Sequence, residues 1–355
     1  MRRFRRTLVA ATLAATVVAS TAGWASGTAQ TPVTGPPPGT AQWRADRLLG
    51  RELPDPASAS AAEIAAFFTA LTPGQRHALA DRHPLVVGNL DGAPIALRYE
   101  ANARALGAEA DGRRILAYDP RGRGQLAEVY GDLGHARHIA VIVPGSDIDA
   151  ATFDRTAAMA RALYEATNKA TNGATGAAAN EAANGRTAVV AWAGYTTPVG
   201  VGIDAATGDL AEAGAERLTR FTRGLAANRA PGAAKPALFC HSYGSVVCGL
   251  AAHEAGASDI VAFGSPGMRA DSVADLGTDA RVWAAKAPDD WISKIPNVEF
   301  AGLGHGNDPT APEFGARHVP ADDTDGHTGY FAPGTSSLRA FAAIARGETR
   351  WGETR

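Results

Sequence analysis

The sequence is organised around one stretch, from Ala237 to Leu250. It begins with a short apolar run typical of a buried strand, which is interrupted by His-Ser-Tyr-Gly at positions 241–244. Small and branched apolar residues then follow at helical spacing. A strand, a sharp turn centred on a serine and a helix form the context of a nucleophile elbow, in which the serine Oγ is exposed. Ser242 is therefore the candidate nucleophile, although Cys240 stands where the G-x-S-x-G pattern has its first glycine.

The first 29 residues have the pattern of a secretory signal peptide. Four arginines lie among the first six residues, the apolar stretch Leu8 to Ala22 follows, and small residues lead to cleavage sites after Ala25 or Ala29. A membrane-spanning helix needs about 20 apolar residues, so a retained anchor is disfavoured. We predict a secreted protein with no stable membrane span after cleavage. The pattern does not decide between the general and the twin-arginine route.

Charge excludes one class of partner. Removing the first 25 residues takes away four arginines and no acidic residue, so the formal charge falls from −2 to −6. Binding to nucleic acid depends on neutralising phosphates with lysine and arginine. No basic stripe interleaved with aromatic residues occurs elsewhere in the chain. We therefore expect no nucleic-acid partner.

Two cysteines, Cys240 and Cys248, are the only ones in the chain. An even pair in an exported protein indicates a disulfide. Cys248 lies four residues beyond Gly244, on the helix face that would pack against the strand carrying Cys240. Two buried thiols in a tight strand–helix contact remain the alternative. A metal site is disfavoured because no second pair of ligands is present.

Composition divides the chain into five segments. The expected bounds are a signal peptide over 1–29, a Pro- and Gly-rich linker over 30–42, an N-terminal helical region over 43–112, a main domain over 113–346 and a tail over 347–355. Two capping boxes, beginning at Ser60 and Thr72, support the helical region. An Ala-, Asn- and Gly-rich stretch over 172–185 indicates a surface insertion.

The main domain alternates between strand-like and helical patterns. Besides the elbow strand, we predict strands over Ile115–Tyr118, Leu126–Tyr130, His138–Val143, Val189–Ala193, Asp259–Phe263 and Val282–Ala285, and helices over about 152–167, 209–227 and 336–345. This alternation predicts an α/β fold with a doubly wound, mostly parallel sheet. Active residues of such sheets gather at the carboxyl ends of the strands.

A nucleophilic serine needs a base, and the base needs an orienting acid. In elbow enzymes the order along the chain is serine, acid, histidine. Asp290 follows a predicted strand, and His327 lies in a glycine-rich loop before the last helix, so these two are the candidate acid and base. Asp289 is the alternative acid. His305 is the rival base, but it follows Asp290 by only 15 residues, which leaves little room for another strand.

An oxyanion hole needs two backbone N–H donors. One is expected from Tyr243, directly after the nucleophile. The other is expected from Ser146, because Gly145 lets the loop after the strand His138–Val143 turn inwards. The acidic loop over 322–325 lacks the spaced ligands of a calcium site. No metal or organic cofactor is implied.

These residues together resemble the α/β-hydrolase superfamily. More closely, they are similar to a mostly uncharacterised actinobacterial family of secreted α/β hydrolases with a Gly-His-Ser-Tyr-Gly elbow, from which Cys240 is the one departure. The resemblance covers most of the mature chain. It is carried by residues 88–92 (Gly-Asn-Leu-Asp-Gly), Ala101-Asn102, residues 143–145, 241–245, 264–267 and 290–292, Gly304-His305-Gly306, Asp308-Pro309, His327 and Tyr330-Phe331. It implies a serine-hydrolase triad of Ser242, Asp290 and His327, and it brings no substrate with it.

The expected function is hydrolysis of a carboxylic ester or related acyl bond in a small-molecule or lipid substrate. The same triad also serves an acyltransferase, whose turnover would depend on an acceptor, and an amidase or peptidase. A non-catalytic binding protein on a hydrolase scaffold is a further alternative, against which the intact Ser-Asp-His set argues.

Overall fold

The computed structural model describes residues 29–168, 187–300 and 302–348. The predicted signal peptide, apart from Ala29, lies outside the described residues, as do the predicted insertion over 172–185 and the tail beyond 348. None of the described helices is long and apolar enough to cross a membrane.

A sheet of eight strands forms the centre of the molecule, in the order β1-β2-β4-β3-β5-β6-β7-β10. The strands β1 and β2 run antiparallel to their neighbours, and the other six are parallel. A separate hairpin is made by β8 and β9. The bounds are β1 Ile115–Asp119, β2 Gln125–Tyr130, β3 His138–Val143, β4 Thr187–Ala193, β5 Ala237–His241, β6 Asp259–Phe263, β7 Arg281–Ala285, β8 Glu299–Phe300, β9 Leu303–Gly304 and β10 Arg317–His318.

Helices cover both faces of this sheet, so the predicted fold class is confirmed. In the described part of the main domain the α-helices are α6 Asp154–Asn168, α7 Ile203–Ala206, α8 Asp209–Ala227, α9 Gly244–Ala251 and α10 Ser336–Ala345. One apolar core lies between the sheet and the pair α8 and α9, and a second lies between the sheet and the pair α6 and α10. Strands β3 to β6 are buried on both faces, which explains their near-continuous apolar sequence.

Five further helices form the N-terminal region: α1 Thr40–Ala45, α2 Ala61–Thr69, α3 Pro73–Arg82, α4 Pro84–Val87 and α5 Ile95–Leu106. Both predicted capping boxes are present, at the start of α2 and of α3. These helices enclose a third core around Trp43 and Phe68. Helix α5 packs on β1 and α2 packs on α8, so the region lies against one edge and one face of the main sheet.

The Gly-Asn-Leu-Asp-Gly motif at 88–92 fastens this region to β1. Asn89 Nδ2 donates to the carbonyl oxygen of Tyr118 at 2.6 Å, and Asn89 Oδ1 accepts from the Tyr118 N–H at 3.2 Å. Asn102 Nδ2 lies 3.1 Å from the carbonyl oxygens of both Gly88 and Ile115. A Cβ atom at Gly88 would lie 2.1 Å from Asn102 Oδ1, so only glycine fits there. The motif therefore has a structural role.

Residues 30–37 differ from the exposed linker that their composition predicts. Gln30 N donates to Asp204 Oδ2 at 3.0 Å, and Val33 N donates to Thr196 Oγ1 at 3.0 Å. Helix α1 begins at Thr40, inside the predicted linker. Proline and glycine content identifies a segment without long helices or strands, but it carries no information about hydrogen bonds to residues more than 150 positions away.

The disulfide predicted between Cys240 and Cys248 is confirmed. It joins β5 to α9 directly behind the elbow, and both residues are fully buried. The cross-link occupies the strand–helix contact at the position where the elbow pattern has its first glycine. Close approach of the helix is provided instead by Gly244 and Gly249, where a Cβ atom would lie 2.5 Å from Val143 O and 2.0 Å from Met268 O.

We expect the double variant Cys240→Ala/Cys248→Ala to unfold at lower denaturant concentration, with a loss of about 2–3 kcal/mol in the free energy of unfolding, because the cross-link restricts the unfolded chain. Urea unfolding followed by tryptophan fluorescence measures this loss. Wild-type protein that is unfolded and refolded in the presence of reductant should show a loss of the same size in its free energy of unfolding. An unchanged unfolding midpoint in the double variant would contradict a stabilising role for the disulfide.

Candidate active site

Ser242 lies in a strained turn at the carboxyl end of β5. Its φ is +52°, in the left-handed region that residues with a side chain rarely adopt. The Ser242 N–H donates to Phe263 O at 3.0 Å, which fixes the turn to the end of β6. A Cβ atom at Gly244 would lie 2.5 Å from the carbonyl oxygen of Val143, so glycine is required for the turn to sit against β3.

Two buried serines that the sequence did not single out hold the elbow from below. Ser245 Oγ lies 2.6 Å from the carbonyl oxygen of Ser242 and 2.6 Å from Ser265 Oγ. Ser265 Oγ in turn accepts from the Gly267 N–H at 3.0 Å. The Ser245–Ser265 contact ties the elbow to the loop after β6, and because its two residues are 20 positions apart, no local sequence pattern predicts it.

Asp290 and His327 are brought together at the carboxyl end of β7. His327 Nδ1 lies 2.8 Å from Asp290 Oδ1, which also accepts from the Ile292 N–H at 2.9 Å. Tyr330 donates its hydroxyl proton to Asp290 Oδ2 at 2.6 Å. Burial alone would raise the pKa of Asp290, but the hydrogen bonds from His327, Tyr330 and Ile292 lower it below its usual value. The carboxylate therefore stays ionised and fully buried beside the imidazole.

The contribution of Tyr330 was missed by sequence reasoning, which had only its position three residues after His327. Its hydroxyl accepts from the Ala287 N–H at 2.9 Å while it donates to Asp290. Burial and the hydrogen bond to Asp290 raise the pKa of Tyr330, so it remains a proton donor. The Tyr330 hydroxyl thus holds Asp290 Oδ2 in place, while His327 binds Asp290 Oδ1.

Neither competing residue contacts this pair. Asp289 Oδ1 accepts from the Gly326 N–H at 2.8 Å, so Asp289 positions the loop that carries His327 without contacting its imidazole. His305 Nε2 donates to the carbonyl oxygen of Ala205 at 2.7 Å, and its ring packs edge-on against Tyr243. Burial lowers the pKa of His305 to about 4, so it is neutral at physiological pH.

His241, the residue before the nucleophile, packs against the candidate base. Its Nε2 donates to the carbonyl oxygen of His327 at 2.8 Å, and the centroids of the two imidazole rings are 4.7 Å apart. Burial and the neighbouring His327 lower the pKa of His241 to about 4, so it adds no positive charge near neutral pH. On its other side the ring of His327 packs against Trp291, with centroids 4.6 Å apart.

His327 and Ser242 do not form a hydrogen bond with each other in this structure. Within the described part of the chain, Ser242 Oγ makes no hydrogen bond, and His327 Nδ1 is the only ring atom of His327 that makes one. Both residues lie beside the end of β6. The Ser242 N–H donates to the carbonyl oxygen of Phe263, and Gly264 is the next residue. A Cβ atom at Gly264 would lie 3.1 Å from His327 Nδ1. Catalytic hydrogen bonds often tighten only when substrate binds.

The backbone beside Ser242 provides two unengaged donors. A Cβ atom at Gly145 would lie 2.6 Å from Ser242 Cβ and 3.1 Å from Ser242 Oγ, so only glycine allows the loop after β3 to pass this close. The N–H groups of Ser146 and Tyr243 donate to no other described residue. Tyr195 OH donates to the carbonyl oxygen of Pro144 at 2.7 Å and holds this loop in place.

Exposed apolar side chains surround this end of the sheet on two loops and at Trp291. We call them the apolar rim: Val199, Val201, Ile203, Trp291, Val298, Phe300 and Leu303. The loop after β4 reaches the elbow because Tyr243 OH donates to Thr207 O at 2.9 Å. The β8–β9 hairpin is linked to the loop after β4 through Arg269, which donates to Glu299 and to Gly302 O and packs against Gly208.

The chain is similar to two curated mycobacterial proteins. It is 26% identical over 382 residues to the uncharacterized protein Rv2079 of Mycobacterium tuberculosis, an alignment that covers 83% of this chain and 57% of that protein. It is 34% identical over 145 residues to the uncharacterized protein Rv0963c of the same species, covering 40% of this chain and 48% of that protein. The chain thus spans about half the length of the curated relatives it matches.

Among solved structures, the chain is similar to XC6422 from Xanthomonas campestris, described as an a/b serine hydrolase without lid. The TM-score is 0.36 and the identity 17%, over 62% of this chain and 88% of that one. A likeness of this size carries no argument about function.

A family model described as "Alpha/beta hydrolase" matches residues 119–300, slightly more than half of the chain. The matched range runs from the end of β1 to β8 and includes Ser242 and Asp290. With its mostly parallel sheet, its elbow after β5 and this match, the chain belongs to the alpha/beta hydrolase family.

Proposed function

We propose that this protein is an exported serine hydrolase that cleaves a carboxylic ester or a related acyl bond. One arrangement supports the proposal: Ser242, held at a positive φ, lies beside the loop of Gly145 and at the end of β6, next to which the His327–Asp290 pair lies. A nucleophile, a base with its orienting acid, and two donors for a developing oxyanion are the parts that acyl transfer to water needs.

In the proposed reaction, Ser242 Oγ attacks the carbonyl carbon while His327 Nε2 takes its proton. Asp290 holds the imidazole through Nδ1 and stabilises the imidazolium. The N–H groups of Ser146 and Tyr243 stabilise the oxyanion of the tetrahedral intermediate. His327 then returns the proton to the leaving alcohol. Water, deprotonated by His327, cleaves the acyl-enzyme and releases the acid.

Export is supported by two features of the chain. The signal-peptide pattern precedes the described residues, and the Cys240–Cys248 disulfide lies in the main domain. Structural disulfides persist in oxidising compartments and are rare in the cytosol.

We expect the protein to hydrolyse p-nitrophenyl butyrate, and we expect Ser242→Ala to abolish turnover. Asp290→Asn should lower kcat by roughly 10³–10⁴-fold, because the base loses its orienting charge. Asp289→Asn is the matched control: it changes the neighbouring carboxylate, which contacts only a backbone N–H, and should lower kcat less than about five-fold. Steady-state kinetics of the three variants, each with a melting curve to verify folding, measures these differences.

Equal losses in Asp289→Asn and Asp290→Asn would contradict the assignment of the acid. Turnover that survives in Ser242→Ala would contradict the proposed nucleophile. Acyl transfer would show in the same assay as a rate that rises when an alcohol acceptor is added, and amide hydrolysis would show with the matching anilide.

The apolar rim supports an apolar acyl group in the substrate. Val199, Val201 and Phe300 are 55%, 61% and 80% exposed, which is unusual for side chains of this kind unless they meet a ligand or partner. Each methylene group transferred from water to an apolar surface contributes about 0.8 kcal/mol, or roughly four-fold in affinity.

We therefore expect kcat/KM for p-nitrophenyl hexanoate to exceed that for the acetate by at least ten-fold. Phe300→Asp should reduce this ratio several-fold, because a hydrated carboxylate offers no apolar contact to the acyl chain. Leu48→Asp is the control, since Leu48 is 47% exposed but lies outside the apolar rim, in the N-terminal helical region. A preference for acetate in the wild type, or equal effects of the two substitutions, would contradict an acyl-binding role for the rim.

A further inference from the structure

A cavity lies on the α8 face of the sheet. Its volume is about 240 Å³. We call it the arginine cavity, because Arg98, Arg121, Arg217 and Arg220 all line it, together with the carboxylates of Asp91, Asp119 and Glu216. Residues 34–37, at the end of the N-terminal segment, form one wall.

The arginine cavity opens at the same edge of the sheet as Ser242. Gly194, which follows β4, and Gln125, which begins the antiparallel strand β2, both line it. Since β4, β3 and β5 are parallel neighbours, the end of β4 and the elbow after β5 lie at one edge. With strands about 4.8 Å apart, β2 lies about 15 Å from β5 across the sheet. The arginine cavity is therefore a separate place near the elbow.

Two of the four guanidinium groups are matched by carboxylates. Arg98 Nη1 lies 3.1 Å from Asp91 Oδ1, and Arg121 binds both oxygens of Asp119. Arg220 forms no ion pair with a described residue and donates to the carbonyl oxygens of Pro56 and Ala57.

Arg217 makes the fewest hydrogen bonds of the four arginines to the described part of the chain. Its Nε donates to Gly194 O at 2.5 Å, and its two terminal nitrogens make no hydrogen bond with a described residue. Its nearest carboxylate oxygen, Asp119 Oδ2, is 3.9 Å away and already binds Arg121. Glu216, the next residue on α8, is exposed at the rim of the cavity and forms no ion pair with Arg217. Burial lowers the pKa of Arg217, more than the surrounding carboxylates raise it.

Gln125 is the second unsatisfied group. It is 3% exposed, and neither its amide nitrogen nor its amide oxygen has a hydrogen-bond partner among the described residues. Buried amides are nearly always paired, with protein, water or ligand. A buried amide and a guanidinium with free N–H groups thus line the same cavity.

From this arrangement we infer that the arginine cavity binds a compact oxyanion, a carboxylate or a phosphate group, between Arg217 and the amide nitrogen of Gln125. The planar guanidinium presents two parallel N–H groups that match two oxygens of such an anion. The neighbouring Arg220 adds positive potential, and Trp192 and Phe221 supply an apolar wall for the carbon skeleton that bears the anion.

Titration calorimetry on the folded wild-type protein tests the inference, with inorganic phosphate in one arm, succinate in the other, and sodium chloride at matched ionic strength as the reference. We expect saturable binding of at least one anion, and the tighter arm identifies the chemistry. Arg217→Gln should weaken binding at least ten-fold, and Gln125→Leu at least three-fold. Arg223→Gln, on the same helix but 58% exposed and paired with Glu254, should leave Kd unchanged.

Gln125→Leu keeps the test decisive if Arg217→Gln does not fold, because it removes a buried unpaired amide without adding a charge. No saturable heat from either anion would overturn the inference, as would equal Kd values in the wild type and Gln125→Leu. The first result would mean that the arginine cavity holds only water, and the second that the anion does not bind at Gln125.

Discussion

The close approach of backbone to backbone at the elbow is the constraint on which the rest of the site depends. A residue held at φ +52° costs about 1–3 kcal/mol, so the surroundings must hold it there. Gly145 and Gly244 leave room for β3 beside the turn, Ser245 fixes the carbonyl oxygen of Ser242, and the disulfide joins β5 to α9 behind it. These contacts hold Ser242 in its strained conformation, so the position of its Oγ depends on the packing of β3, β5 and α9 and not on one loop alone.

The charges around the elbow follow from burial. Asp290 is removed from water yet remains ionised, because three donors compensate its charge. His241 and His305 are also buried, but each donates to a backbone carbonyl oxygen and is neutral, with a pKa of about 4. Three histidines therefore lie near the elbow, and only His327 is paired with a carboxylate there. That difference distinguishes the candidate base from its neighbours more firmly than order along the chain.

Local patterns in the sequence predicted much of this architecture. Strand β6 and helices α8 and α10 have the predicted bounds, because alternation of apolar runs with turn residues is a local signal. Most contacts between residues far apart in the sequence could not be predicted from it. The short strand β10, the Ser245–Ser265 contact and the hydroxyl of Tyr330 on Asp290 depend on tertiary packing. Asp289 and Asp290 are adjacent in sequence and differ only in the direction of their side chains, which backbone geometry alone decides.

The central claim, that Ser242 is an activated nucleophile, is tested most directly by labelling the mature protein with a fluorophosphonate and mapping the modified peptide by mass spectrometry. We expect one stoichiometric adduct on Ser242, and its loss when His327 is replaced by alanine in a protein that still folds. A folded wild-type protein that takes up no label, or an adduct on another serine, would contradict it.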